Sequence, residues 1–155
     1  MSDNSIVAGI NIDIIGKGKT IDDVLGSIVD PFNDVLIRLV NLGVQYDKSK
    51  TDHMDRIRKL IIWAKDYPDL MIRKCYKNLI NPENKKAIIE RNLNHFSKKN
   101  YDKFIKKDIY KDTIDFALNY IKKDINNLSE QEINHIWDLI SILAICSEEY
   151  NVFIS

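Results

Sequence analysis

Apolar residues recur at spacings of three and four through most of residues 20–150, and at every second position in one stretch near the start. The first period is that of a helix with one buried face, the second that of a half-buried strand. The alternating stretch runs from Ile6 to Ile15: Ile6, Ala8, Ile10, Ile12 and Ile14 share one side, against a mixed side that includes Asn11 and Asp13. Gly16-Lys17-Gly18-Lys19 ends it. A lone strand in a helical domain has unpaired backbone groups, so the pattern predicts pairing with an edge elsewhere: a second copy, a partner, or the tail around Val152 to Ile154.

Punctuation then divides the rest of the chain. Thr20, with Asp23 three residues on, reads as a variant capping box before Val24, Leu25 and Ile28. Asp30-Pro31 reads as a fresh start, with Phe32, Val35, Leu36, Leu39 and Val40 following and Gly43 closing. Thr51 or Asp52 opens a helix that turns Met54, Ile57, Leu60, Ile61 and Ala64 inward and stops at Pro68. Asp69 opens the next, through Leu70, Met71, Cys75 and Leu79. Asn81-Pro82-Glu83 restarts the chain, with Ile88, Ile89, Leu93 and Phe96 behind it. A short basic helix over Tyr101 to Lys107 and a longer one from Tyr110 to Asn126 are expected, the latter with Ile114, Ala117, Leu118, Ile121 and Ile125 on one stripe.

Ser129 and Glu132 form the sharpest local signal, a capping box ahead of Ile133, Ile136, Trp137, Ile140, Leu143 and Ala144. Leu139, Ile142 and Ile145 carry the apolar surface of that helix almost all round. Such a helix belongs at the centre of a bundle, or covers its second face with another subunit. The expected fold is all-α, a bundle of about six helices with a short N-terminal β-strand. Its parts are an extended segment at residues 1–19, a helical bundle at 20–150 and a short tail at 151–155.

At 155 residues, one domain is expected, large enough to fold without metal or disulfide. The two cysteines, Cys75 and Cys146, fall in apolar helical patterns without a CxxC neighbour and read as core residues in a reducing, intracellular setting. No apolar run is long enough for a membrane span, and the N-terminus lacks the pattern of a secretory signal. The use of Ile, Lys and Asn at the expense of Ala, Gly and Arg reads first as AT-rich coding.

Net charge is zero but unevenly spread: −2 over residues 1–50, +6 over 51–100 and −4 over 101–155. Pairing between the middle and the ends is the simplest reading. The alternative is an anionic partner for the middle block, with Arg56, Lys59, Arg73, Lys77, Lys86 and Lys99 as nucleic-acid contacts and Tyr76, Tyr101 and Phe104 as stacking aromatics. Lysine outnumbers arginine there, which disfavours bidentate recognition.

Enzymatic chemistry finds little support. Gly16-Lys17-Gly18-Lys19-Thr20 matches the end of a phosphate-binding loop, but the glycine required five residues before Gly18 is replaced by Asp13, and no set of parallel strands follows. His53, His95 and His135 have no zinc spacing. Asp108, Asp112 and Asp115 share a helical face with interleaved Lys107 and Lys111, which reads as solvated ion pairs. No cofactor, metal or small-molecule substrate is expected.

The run Phe104-Ile105, Ile114-Asp115-Phe116 and Ile136-Trp137-Asp138-Leu139-Ile140-Ser141-Ile142-Leu143 resembles small all-helical proteins of nucleocytoplasmic large DNA viruses, over about residues 80–150. That resemblance implies no catalytic residues, and action in the host cytoplasm or in the virion. The functional expectation is a non-enzymatic structural or regulatory interaction protein, self-associating through Ile10, Ile12 and Ile14 of the strand, through Leu139 and Ile142 of the last helix, and through Trp63 if it faces solvent. Nucleic-acid binding through residues 56–107 is the alternative, and no membrane partner is expected.

Overall fold

The computed structural model describes residues 5–46, 52–92 and 128–155. The helices expected over 101–107 and 110–126, and with them Tyr101, Phe104, His95, Lys99 and the Asp108–Asp115 face, lie outside the described residues. Among the described residues there are five α-helices and one two-stranded antiparallel sheet. The helices are α1 (Ile21–Tyr46), α2 (Asp52–Asp66), α3 (Leu70–Leu79), α4 (Pro82–Ile89) and α5 (Glu130–Ile154).

The N-terminal segment is not a lone strand. It folds on itself: β1 (Ile6–Val7) pairs with β2 (Ile10–Asn11), Ile6 opposite Asn11 and Val7 opposite Ile10. The turn between them has positive φ at both Ala8 (51°) and Gly9 (79°), the signature of the tight hairpin turn whose twist matches that of the strands. Alanine tolerates that conformation poorly, and Arg38 of α1 holds the turn by donating Nη1 to the Ala8 carbonyl at 2.7 Å. Asp34 in turn accepts from Arg38 at 2.7 Å. A short 3-10 helix, Ile12–Ile14, follows, capped by Asn11, whose side chain accepts from the Asp13 N–H.

Two helix breaks expected from the sequence are absent. Asp30-Pro31 does not start a helix; Pro31 lies inside α1, which also continues past Gly43 to Tyr46. The reason is burial on both sides of the proline: Ile28, Val29, Phe32, Val35, Leu36 and Leu39 are all nearly inaccessible and lie on one continuous stripe. Removing that much apolar surface from water outweighs the roughly 3 kcal/mol that an internal proline costs. The tail expected at 151–155 is helical as far as Ile154, continuing α5.

Other punctuation acts as the sequence implies. Asn81 accepts from the N–H groups of Glu83 and Asn84 and places Pro82 in the first turn of α4. Ser129 and Glu132 make both bonds of the capping box at the start of α5. Helix α4 stops at Ile89, short of the expected Leu93 and Phe96, because Arg91 takes a positive φ of 53° and the Asn92 N–H turns back to the Ala87 carbonyl at 2.8 Å.

Helix α5 is the axis of the fold. It packs against α1, α3 and α4 and touches β1. Ile136, Trp137, Leu139, Ile140, Ile142, Leu143 and Cys146 meet Ile28, Phe32, Val35 and Leu36 of α1, Met71, Ile72 and Tyr76 of α3, and Ala87 and Ile88 of α4 in one buried cluster. Tyr76 and Tyr150 meet edge to face, ring centres 5.2 Å apart. Polar clamps lock the periphery: Arg91 to Asp138 and to Asn134, Lys85 to Glu148, and Asn33 Nδ2 to the Pro68 carbonyl at 2.8 Å.

Candidate interaction surface

Leu139 and Ile142 have no exposed surface. The second apolar face of α5, expected to require another subunit, is covered within one copy by α3, α4 and the hairpin in addition to α1. Ile10 and Ile12 are half-buried and packed against the same core, leaving only Ile14 of the three strand residues well exposed. With β1 and β2 two residues each and paired to one another, the segment offers no strand of the length a partner edge would use. Leu139 and Ile142 are therefore core residues and Ile10 and Ile12 are half-buried, against the expectation of contact sites there, while Ile14 stays exposed.

Trp63 is also turned inward, half-buried against the core with Ala64 beside it. At about 100° per residue, bringing Trp63 inward rotates Ile61 and Ile62 toward solvent. Ile61 is 50% exposed and Ile62 55% exposed, so Ile61 leaves the inward stripe assigned to it by spacing. The indole is the largest apolar group of the helix, and covering it removes more surface from water than covering either isoleucine. Tyr67, just beyond α2, is 60% exposed.

Cations surround these residues. Lys59 and Arg58 precede the two isoleucines and Lys65 follows them, all exposed. On α3, Met71, Ile72, Tyr76 and Leu79 are buried while Arg73, Lys74 and Lys77 are exposed, so the outward side of that helix is basic. Arg73 lies 3.9 Å from Asp69, one turn earlier. Lys86 is exposed on α4. Arg56 lies on α2, and its side chain, like those of His53 and Cys75, is outside the described residues.

The remaining chemical candidates are structural. In the Gly16–Thr20 loop, the Gly16 N–H is taken by Ser27 Oγ at 2.9 Å and Thr20 Oγ1 accepts from the Asp23 N–H at 3.0 Å. The first turn of α1 carries Asp22 and Asp23, which occupy the end of the helix dipole that attracts anions. A hollow lined by Leu42 and the first turns of α5 has Glu130 and Glu132 at its wall, with the same consequence. Burial pushes the Cys146 thiol up to about 12, so it stays protonated and unreactive. Burial, and then the carboxylate of Asp69, raise the Tyr150 hydroxyl above its ordinary value.

Among the described residues, no group of His, Cys, Asp and Glu could hold a metal ion, and no helix is long and apolar enough to cross a membrane. Comparison of the chain with known protein families, with curated proteins and with solved structures gave no match.

Proposed function

We propose that the protein is a non-enzymatic interaction module that docks a protein partner on the outward face of α2. The observation that carries this reading is that Ile61, Ile62 and Tyr67, within seven positions, are each at least half exposed, while Met71, Ile72, Tyr76 and Leu79 of α3 and most of the large apolar residues of α5 are buried. Scattered apolar residues are ordinary on a surface; three within seven positions of one helix and its end mark a contact site. A photo-crosslinking residue at position 62 of the full chain, in the cell that makes it, is expected to yield a discrete covalent adduct with a second polypeptide. The same residue at position 83, on exposed α4, serves as the control. Equal or no adducts from the two positions would remove α2 as the docking face.

A second reading, binding of nucleic acid, is favoured by the exposure of Lys59, Arg73, Lys77 and Lys86. It requires a mobility shift on duplex or single-stranded nucleic acid at low salt that disappears steeply as salt rises.

A further inference from the structure

We infer that residues 5–16 form a strap that opens as a unit while the helical bundle stays folded, and that Arg38 is its latch. From the turn at Ala8 to Gly16, the strap runs in the opposite direction to α1. The Gly16 N–H donates to Ser27 Oγ at 2.9 Å, and the Ala8 carbonyl accepts from Arg38 Nη1 at 2.7 Å. Those two anchors are about three turns of α1 apart, or roughly 16 Å. On the other side β1 touches α5, and the side chain of Glu149 in α5 fills the space that a Cβ on Gly16 would need. The strap therefore lies over the seam between α1 and α5.

Its grip on the bundle is shallow. Val7, Ala8, Ile10 and Ile12 are only half-buried against the core, and Ile6 and Ile14 are each 56% exposed. Ile15, at the end next to Ser27, is the buried member. The two strands have two residues each, and a hairpin that short does not hold itself together in water. The Ser5 hydroxyl closes its open end by donating to the Asp13 carboxylate, an exposed contact. A segment with few buried side chains and solvent-facing hydrogen bonds opens more readily than the core it rests on.

The turn adds strain. Ala8 has a φ of 51°, where a Cβ is disfavoured and where tight hairpin turns ordinarily carry Asn, Asp or Gly. Opening relieves that strain, so something must hold the turn closed. Arg38 does so at the strained residue itself. Its guanidinium donates to the Ala8 carbonyl and is held in place by Asp34, one turn earlier on α1, at 2.7 Å. A charged donor makes the stronger kind of hydrogen bond. Arg38 is not a member of the buried core, so its loss loosens the strap and leaves the bundle's packing intact. Opening bares apolar surface at the seam between α1 and α5 that the strap otherwise covers.

The test is rapid-mixing hydrogen exchange of the full chain, read by mass spectrometry. In the wild type, residues 5–16 are expected to exchange about tenfold or more faster than residues 136–146 of α5. Arg38→Met, which keeps the aliphatic stem, is expected to speed exchange of the strap about tenfold and to leave α5 unchanged. Ala8→Gly, which adopts positive φ freely, is expected to slow the strap about threefold or more. That second variant does not depend on how well Arg38→Met folds. Equal rates for strap and α5 in the wild type overturn the inference, as does a strap that Arg38→Met leaves unchanged or speeds no more than it speeds α5. A strap that Ala8→Gly fails to slow overturns it as well.

Discussion

Leu139 and Ile61 differ in what their removal costs. Leu139 has no exposed surface and belongs to the core cluster that α5 forms with α1, α3 and α4, so Leu139→Ala loses both its transfer free energy and the packing around the hole. The expected loss is about 2–5 kcal/mol, read as a lower urea midpoint, whereas Ile61→Ser is expected to stay within about 0.5 kcal/mol of wild type. Cys146 supplies a pH signature. Its folded value of about 12 exceeds the unfolded value of 9.0, so the folded state holds its proton where the unfolded state releases it. Its contribution is therefore complete below pH 9 and declines as pH rises from there toward 12. In a Cys75→Ser background, the remaining thiol is expected to resist a thiol reagent at pH 8 until the chain is unfolded; fast labelling of the folded chain would place Cys146 outside the core. The sequence marked Cys146, Trp137 and Ile136 as core because each lies on one regular stripe. It put Ile61 on the inward stripe of α2 and left Trp63 open; the two lie on nearly opposite sides of the helix, and which one is covered depends on what α1 and α3 offer to fill.

Local chemistry made some elements legible and tertiary packing overrode others. Where side chains bond their own backbone, as in the Ser129–Glu132 box and the Asn81 cap, the element starts where the spacing predicts. Ser129→Ala is expected to lower stability by about 1 kcal/mol, measured by denaturant unfolding, with an unchanged value meaning that the box adds nothing beyond solvent. Pro31 and Gly43 are strong local breakers, yet α1 runs through both, and at Pro31 the buried stripe is continuous on either side. Pro31→Ala restores a backbone donor inside α1 and is expected to raise stability by about 1–3 kcal/mol. A drop would mean that the ring itself packs in a way alanine cannot replace. The hairpin was hidden for a different reason. Ala8 keeps the alternating pattern intact at the very residue where the backbone turns, and the bond from Arg38 that supports the turn comes from 30 residues away.

For the whole molecule, the uneven charge has two roles. Part of the basic middle block pairs with the acidic last third, as Lys85 with Glu148 and Arg91 with Asp138, the pairing that the charge distribution favoured. Lys59 and Lys65 of α2 and Lys74 and Lys77 of α3 are exposed, and Arg73 of α3 lies near Asp69 of its own turn. A sequence gives the existence of the charges, but not which of them a neighbouring helix neutralises. The same holds for the greasy circumference of α5, which suggested a second subunit and is covered inside a single copy by α1, α3, α4 and the hairpin.

Light scattering of the purified full chain across a concentration series tests this arrangement most directly. A mass of 18.1 kDa, the same in Ile62→Ser and unchanged at high concentration, is the expected result. A mass twice that value would contradict the account that one copy covers its own apolar helix α5.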